Sequence, residues 1–419
     1  VRILHTSDWH LGRTLHGVDL LEHQAAFVDH LVELVAERDV DVVVVAGDVY
    51  DRAVPSVPSV RLLGSALRRL SEHAVVIVTP GNHDSAVRLG FAAELMRAGL
   101  HVLASVEALD QPVVVDDEHG PVAFYGLPYL DPDTVRHTLA PGAGAAAGGD
   151  AGPSADAGPS ADEGPSADAG PDAERPPLPR SHEAVVAAAM GKVRADLASR
   201  PGTRSVVVAH AFVSGGEASE SERDIRVGGV DSVPSAVLAG VDYVALGHLH
   251  GAQRIGASRG ERPVIRYSGS PVAFSFGELG HAKSTALVDI DRDGGVTVEL
   301  VPAPVPRRLA EVTDTLEHLL DGRHDGLRDA WLRVHVTDPV HPERLYSRVK
   351  AHFPHALVVL HEPVGAVDAP ALRLVTAETD PLEVAADFVA FASGALPTEA
   401  ELAAVRHAYE SARRAEESA

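Results

Sequence analysis

Val42-Val43-Val44-Val45-Ala46-Gly47-Asp48 says most about how this chain folds. Four β-branched residues in a row, apolar on both faces, read as a strand buried in a layered α/β core. The run stops on a glycine and a carboxylate, and the same pattern recurs four times. Ile3-Leu4 leads to Asp8 and His10, and Val75 to Val78 leads to Gly81-Asn82-His83-Asp84. Val206 to Ala209 leads to His210, and Val244 to Leu246 leads to Gly247-His248-Leu249-His250. Ligands of open α/β sheets bind at the carboxyl ends of strands, so these polar residues are expected to converge. The glycines before Asp48, Asn82 and His248 read as room for sharp turns. One Gly-Asp pair means little; five such endings in order are a specific signal.

Amphipathic segments alternate with these strands. Leu21, Ala25, Val28, Val32 and Val35 fall at helical spacing, and Val57 to Leu70 reads as a second helix. A third is expected near Ser181 to Ser199, with a strand at Val264 to Tyr267 and an antiparallel pair at Thr285 to Ile290 and Val296 to Val301. Strands alternating with helices imply a layered α/β sandwich. Residues 141 to 180 break the pattern with near-repeats of Ala-Gly-Pro-Ser-Ala-Asp, seven acids and two arginines. Such composition offers little apolar surface to offset ordering entropy, so it reads as a disordered acidic insertion. Beyond Val305, Trp331 to Val336, a helix near Glu343 to His352, and Ala356 to Leu360 suggest a small α/β capping domain. The tail reads as two amphipathic helices split at Gly394-Ala395-Leu396-Pro397. The expected organisation is a catalytic domain at 1–304, a capping domain at 305–378 and a helical tail at 379–419.

With 419 residues, more than one domain is expected. There is no cysteine, so disulfides and thiolate metal sites are excluded. The first strand begins almost at once, and no apolar run reaches the ~18 residues of a membrane span, so a cytosolic location is expected. A formal charge of −24 argues against a broad basic surface for nucleic acid. Bound cations, local basic patches or a partner subunit would have to supply the phosphate contacts.

The candidate donors are two carboxylates, one amide oxygen and four imidazoles: Asp8, Asp48, Asn82, His10, His210, His248 and His250. That exceeds one tetrahedral ion, so two ions sharing a carboxylate are inferred. Nitrogen and oxygen donors suit manganese or iron, with zinc also compatible. Paired ions clamp both oxygens of an in-line phosphoryl displacement, so phosphate-ester hydrolysis is the chemistry that follows.

Asp8-Trp9-His10, Gly47-Asp48-Val49-Tyr50-Asp51, Gly81-Asn82-His83-Asp84, His210 and Gly247-His248-Leu249-His250 resemble the motif series of the calcineurin-like phosphoesterases. Within them the chain is most similar to the double-strand-break repair nucleases. Ser7-Asp8-Trp9-His10-Leu11-Gly12, Asp51-Arg52-Ala53-Val54-Pro55, Arg223-Asp224-Ile225, and Tyr267-Ser268-Gly269-Ser270-Pro271 followed by Ser275-Phe276 carry that likeness. It covers about 1 to 130 and 181 to 415. The resemblance implies one metal on Asp8, His10, Asp48 and His250, and a second on Asp48, Asn82, His210 and His248. It implies that His83 contacts the scissile phosphate or protonates the leaving oxygen, and that Asp84 orients His83 by accepting its other N–H. It also implies manganese-dependent DNA exonuclease, endonuclease and hairpin-opening activity. A coiled-coil ATPase partner and a homodimer built from helices near Val57 to Leu70 and Ser85 to Ala98 are implied as well.

Other residues carry plainer alternatives. Trp9 and His5 read as packing residues. Asp51 fits a cap of the following helix as well as a functional role. Arg13 and Arg52 flank the expected cleft and fit DNA phosphates or ordinary exposed arginines equally. Leu382 with Phe388, and Leu402 with Tyr409, head two apolar stripes; amphipathic helices usually pack on their own domain, but the resemblance favours docking on the ATPase. The rival functions are a phosphatase or cyclic-nucleotide phosphodiesterase on the same metal core, and a non-enzymatic DNA scaffold.

Overall fold

The computed structural model describes residues 1–91, 93–96, 99–140, 176–222, 232–256, 262–305, 307–364, 380–393 and 397–416. Arg223-Asp224-Ile225, residues 141–175 of the acidic insertion, and residues 394–396 of the tail lie outside them. The chain divides into two units, Val1–Pro306 and Arg307–Ala419.

The first unit carries β1 (Arg2–Thr6), a hairpin of β2 (Thr14–Leu15) and β3 (Val18–Asp19), β4 (Val42–Ala46), β5 (Val75–Thr79), β6 (Leu100–Val102), β7 (Val113–Asp117) and β8 (Gly120–Leu127). After the insertion come β9 (Arg204–His210), β10 (Tyr243–Gly247), β11 (Gln253–Ile255), β12 (Val264–Tyr267), β13 (Ser284–Ile290) and β14 (Val296–Pro302). Two six-stranded sheets result, in the orders β14-β13-β1-β4-β5-β6 and β11-β12-β10-β9-β8-β7. Each has a parallel centre, β1-β4-β5-β6 in one and β12-β10-β9-β8 in the other, and antiparallel strands complete the edges.

Strand alternation sorts side chains into layers. Ile3, Val42, Val44 and Ile77 meet Phe124, Val206, Val208 and Ala245 between the sheets. The opposite faces of the same strands, with Leu4, Val43, Val45 and Val78, pack under α1 (Leu21–Glu37) and α2 (Val57–Leu70). Val207, Ala209, Val244 and Leu246 pack on the other side, with Val185, Val186, Ala189 and Val193 of a long helix, His182–Ala198. The all-valine run of β4 is therefore apolar on both faces because both faces are covered.

Ser56 caps α2 by accepting from the Ser59 N–H at 3.3 Å, and Leu63, Ala66, Leu67 and Leu70 form its buried face. The buried face of α1 is rotated from the expected stripe: Phe27, Val28, Leu31, Leu34 and Val35 are inside, while Leu21, Ala25 and Val32 border them. The helix expected near Ser85 to Ala98 is instead a short α3 (Ala86–Leu89) and a 3-10 turn at Ala93–Leu95, among the described residues. Two further helices are α4 (Pro132–Val135) and α5, the His182–Ala198 helix above.

The second unit holds a three-stranded parallel sheet, β15 (Leu309–Asp314), β16 (Trp331–Val336) and β17 (Ala356–His361). The sequence reading missed β15, whose core face offers only Ala310 and Val312. With α6 (Leu316–Leu320) and α7 (Leu345–His352) the sheet encloses Leu319, Leu332, Val334, Val349 and Phe353. Then α8 (Pro381–Ser393) and α9 (Glu399–Glu416) lie against one another, with Phe388 68% and Leu402 38% exposed and Leu382 and Tyr409 partly covered. Among the described residues no helix is long and apolar enough to cross a membrane.

Candidate metal centre

The carboxyl ends of β1, β4 and β5 in one sheet and of β9 and β10 in the other carry the seven candidate donors. Asp8 (φ 54°), His10 (φ 43°), Asp48 (φ 50°) and His248 (φ 111°) all have left-handed backbones. Such conformations cost a non-glycine residue roughly 1–3 kcal/mol each and persist where surrounding bonds over-determine them. Here the two first loops are laced together: Asp8 N donates to Gly47 O at 3.1 Å, His10 N to Asp48 O at 2.9 Å and Leu11 N to Val49 O at 3.0 Å. Buried Gln24 of α1 adds to this, donating to Trp9 O at 2.9 Å and His10 O at 2.8 Å and accepting from Gly12 N at 3.0 Å.

The three glycines act differently from one another. Only Gly47 has a positive φ, 81°. Gly81 and Gly247 are needed for space: a Cβ at Gly81 would overlap the Asp48 backbone nitrogen and carboxylate, and one at Gly247 the Ala46 carbonyl.

These loops bring all seven donors together. His10 Nε2 lies 3.2 Å from His250 Nε2 and 3.6 Å from Asp48 Oδ2. Asp48 Oδ2 is also 3.4 Å from His210 Nε2 and 4.0 Å from His83 Nε2. Asn82 Oδ1 lies 2.9 Å from His210 Nε2 and 3.3 Å from His248 Nδ1. Asp8, with His10 and His250, and Asp8, with Asp48 and His210, form two groups whose ligand atoms fall within 4.8 Å of one another; His10, Asp48 and His83 form a third.

Burial sets the electrostatics. It pushes the His10 imidazole well down and His248 to about 3, leaving both neutral and able to donate lone pairs. Burial would lower His210 too, but the Asp48 carboxylate outweighs it and lifts His210 to about 9. Burial pushes Asp8 up to about 6, whereas at Asp48 the His210 charge overcomes burial and holds the carboxyl well below its ordinary value. A divalent cation would compete with the His210 proton for the same lone pairs. Two buried carboxylates and imidazole nitrogens aimed at shared points fit divalent ions of the manganese, iron or zinc kind.

The role of Asp84 differs from the sequence reading, and the helix-cap alternative for Asp51 drops out. His83 Nδ1 lies 2.8 Å from the Asp51 carbonyl, not against Asp84. Asp84 instead accepts backbone N–H groups from Gly81 at 2.9 Å, Val49 at 3.0 Å and Tyr50 at 2.9 Å, tying the β4 and β5 loops together. Asp51 does not cap α2, since Ser56 does; its carboxylate faces Arg13 at 3.7 Å and Arg52 at 3.4 Å. Trp9 packs edge-on against Phe27 and bonds Thr6 Oγ1 at 2.9 Å. His5 is buried between Tyr243 and the Leu246 carbonyl. Arg13 donates to Ser221 O at 2.6 Å with its guanidinium 4.8 Å from the Phe274 ring centre, while the Arg52 side chain is 83% exposed.

Sequence reasoning missed a largely buried polar group behind His250: Ser221, Glu222, Glu278 and Lys283. Burial alone would raise the Glu278 carboxyl, but the His250 hydrogen bond and the Lys283 ammonium outweigh it and hold it well below the usual range. No spacing motif marks these residues.

Residues 1–136 match the calcineurin-like phosphoesterase family, and residues 304–392 match the SbcD C-terminal domain, described as the type 5 capsule protein repressor C-terminal domain. Similar solved structures include TT1561 of Thermus thermophilus, at 15% identity over 71% of this chain and 98% of that one, with a TM-score of 0.36. GAP50, the anchor in the inner membrane complex of Plasmodium, is similar at 10% identity over 72% of this chain and 84% of that one, with a TM-score of 0.37. The sandwich, the donor cluster and the N-terminal match define a metallophosphoesterase, a hydrolase of phosphate esters. Residues 1–136 thus carry a calcineurin-like phosphoesterase domain, joined in the same chain to a C-terminal domain of the SbcD type.

Proposed function

We propose that this phosphoesterase is a two-metal DNA nuclease that processes DNA ends and hairpins with an SbcC-like coiled-coil ATPase. The observation that carries the reading is the meeting of seven nitrogen and oxygen donors around Asp48, in a chain that also has the SbcD-type domain. Asp8, His10, Asp48 and His250 would hold one ion, and Asp48, Asn82, His210 and His248 the other, with manganese expected. The ions would supply charge stabilisation for an in-line displacement at phosphorus.

The chain's own residues do the rest. His83 spends Nδ1 on the Asp51 carbonyl, so Nε2 faces the cluster, 4.0 Å from Asp48. It is the group to contact the scissile phosphate or protonate the leaving oxygen. Asp84 holds the loop that carries it. Arg13, half-buried beside the site, and exposed Arg52 would meet DNA phosphates. Exposed Val57, Val60, Val87, Phe91 and Leu95 support a homodimer interface on this surface. Exposed Phe388 and Leu402, with Leu382 and Tyr409, support docking of the tail on the ATPase. The proposed setting is the cytoplasm, at the nucleoid when bound to DNA.

Labelled hairpin DNA with manganese, with and without the ATPase and ATP, tests this. Manganese-dependent hairpin opening and single-strand cleavage are expected, with double-strand exonuclease activity requiring the partner and ATP. Turnover of an aryl phosphodiester without DNA cleavage would mean a small-substrate phosphodiesterase instead. Metal binding without any hydrolysis would mean a scaffold.

A further inference from the structure

Among the described histidines of the centre, His250 is held in a distinctive way. His210 and His83 turn Nδ1 to main-chain carbonyls, of Ala46 at 3.0 Å and of Asp51 at 2.8 Å. His250 turns Nδ1 to a buried ionic group. Ser221 Oγ lies 2.7 Å from His250 Nδ1 and 2.5 Å from Glu278 Oε1, and Glu278 Oε1 is itself 3.4 Å from the ring nitrogen. Behind it, Lys283 Nζ donates to Glu278 Oε2, to Ser270 Oγ at 2.8 Å and to the His250 carbonyl at 3.0 Å. Glu278 and Lys283 are both buried.

The donors and acceptors settle a direction. An ionised carboxylate only accepts, so the Ser221 hydroxyl must donate to Glu278. Its remaining capacity toward His250 is then as acceptor, and His250 must carry its proton on Nδ1. That leaves the lone pair on Nε2, the atom 3.2 Å from His10 Nε2 at the centre of the cluster. Lys283 keeps the carboxylate fixed and also grips the main chain of His250. Glu278 further accepts from Phe274 N at 2.9 Å, and the Phe274 ring stands edge-on to His10 and His250, at 5.1 Å and 5.3 Å between centroids.

We propose that Glu278, acting through Ser221 and locked by Lys283, is a positioning residue that holds His250 with Nε2 toward the metal. The inference rests on the two-metal reading above. A buried ion pair that merely ties the residue before β13 to the 3-10 turn at Phe276–Glu278 would contribute little net stability and would have no reason to single out one ion. A carboxylate behind a ligating imidazole, by contrast, orients the ring and raises its basicity, and losing it typically weakens metal binding about 10–100-fold.

The test uses manganese titration calorimetry on the full chain, with circular dichroism and melting recorded for each variant. Ser221→Ala removes the bridge without stranding a charge. The double variant Glu278→Gln with Lys283→Met removes both charges together, so no lone ammonium is left buried. Each is expected to keep the folded spectrum, bind one manganese as the parent does, and bind the other about 10–100-fold more weakly. Unchanged affinity at both sites in Ser221→Ala would overturn the proposal, and so would equal weakening at both sites in either variant. If the unmodified chain takes up fewer than two manganese ions, the two-metal reading fails, and that result is separate from any difference between variants.

Discussion

His83 and Asp48 stand 4.0 Å apart, yet their loss should be felt in different steps. Asp48 faces three imidazoles and also accepts the His83 backbone N–H at 2.8 Å, so it is placed to hold both proposed ions and the loop beside them. His83→Gln is expected to keep two manganese ions while cleavage falls by ~10²–10⁴-fold, the range typical of a positioned acid or base. Asp48→Ala should lose metal together with activity. Metal analysis beside a cleavage assay separates them, and a metal-poor His83→Gln with a normally loaded Asp48→Ala would reverse the roles. The candidate donors could be picked out one by one because each follows a strand ending and a tight loop. The partner of the His83 ring was not, because a carbonyl from Asp51, thirty-two positions away, reaches it only after folding.

Among the elements, α1 illustrates how far periodicity reaches. Its spacing marks a helix, but a stripe of alanines, valines and leucines can be drawn on neighbouring faces, and only the fit into the core shared with α2 and the first sheet selects Phe27, Leu31 and Leu34. The tail poses the sharper question. All seven donors lie in the first unit, Val1–Pro306, so cutting before Pro381 is expected to leave a folded, manganese-dependent single-strand nuclease. The same cut should abolish capture of the ATPase. Phe388, 68% exposed on α8, and Tyr409 on α9 are the apolar anchors to change. Burial at about 25 cal/mol per Å² gives such anchors several kcal/mol before ordering costs. Replacing both with Asp should mimic the truncation in a pull-down while metal content holds. Insoluble or metal-free truncated protein would mean that the helices serve their own fold.

Across the molecule as a whole, the acidic insertion interrupts the first unit without separating its halves. Leu178 N donates to Arg136 O at 3.1 Å, and Arg180 pairs with Asp133, so the chain leaves and returns at nearly one place. Deleting residues 142–177 and closing with a short glycine-serine linker should therefore leave melting temperature and nuclease activity close to the parent's. Loop-closure entropy changes by only about 0.6 kcal/mol for each doubling of length, and the segment's composition offers little to bury. A melting temperature lowered by many degrees in calorimetry would count against this.

Whatever rests on local physics could be read along the chain: buried β-branched strands, the polar residues that end them, and the donor chemistry that excludes thiolate sites. That was also enough to expect two carboxylates and an amide among imidazoles at one end of a sandwich. Contacts between segments far apart in sequence came only with folding. Folding turned Asp84 to three backbone N–H groups, relieved Asp51 of a helix cap, and set Glu278 and Lys283 behind His250. A strand is specified by its own neighbours. A hydrogen-bond partner is specified by whichever atom burial brings within about 3 Å, and no spacing along the chain records that.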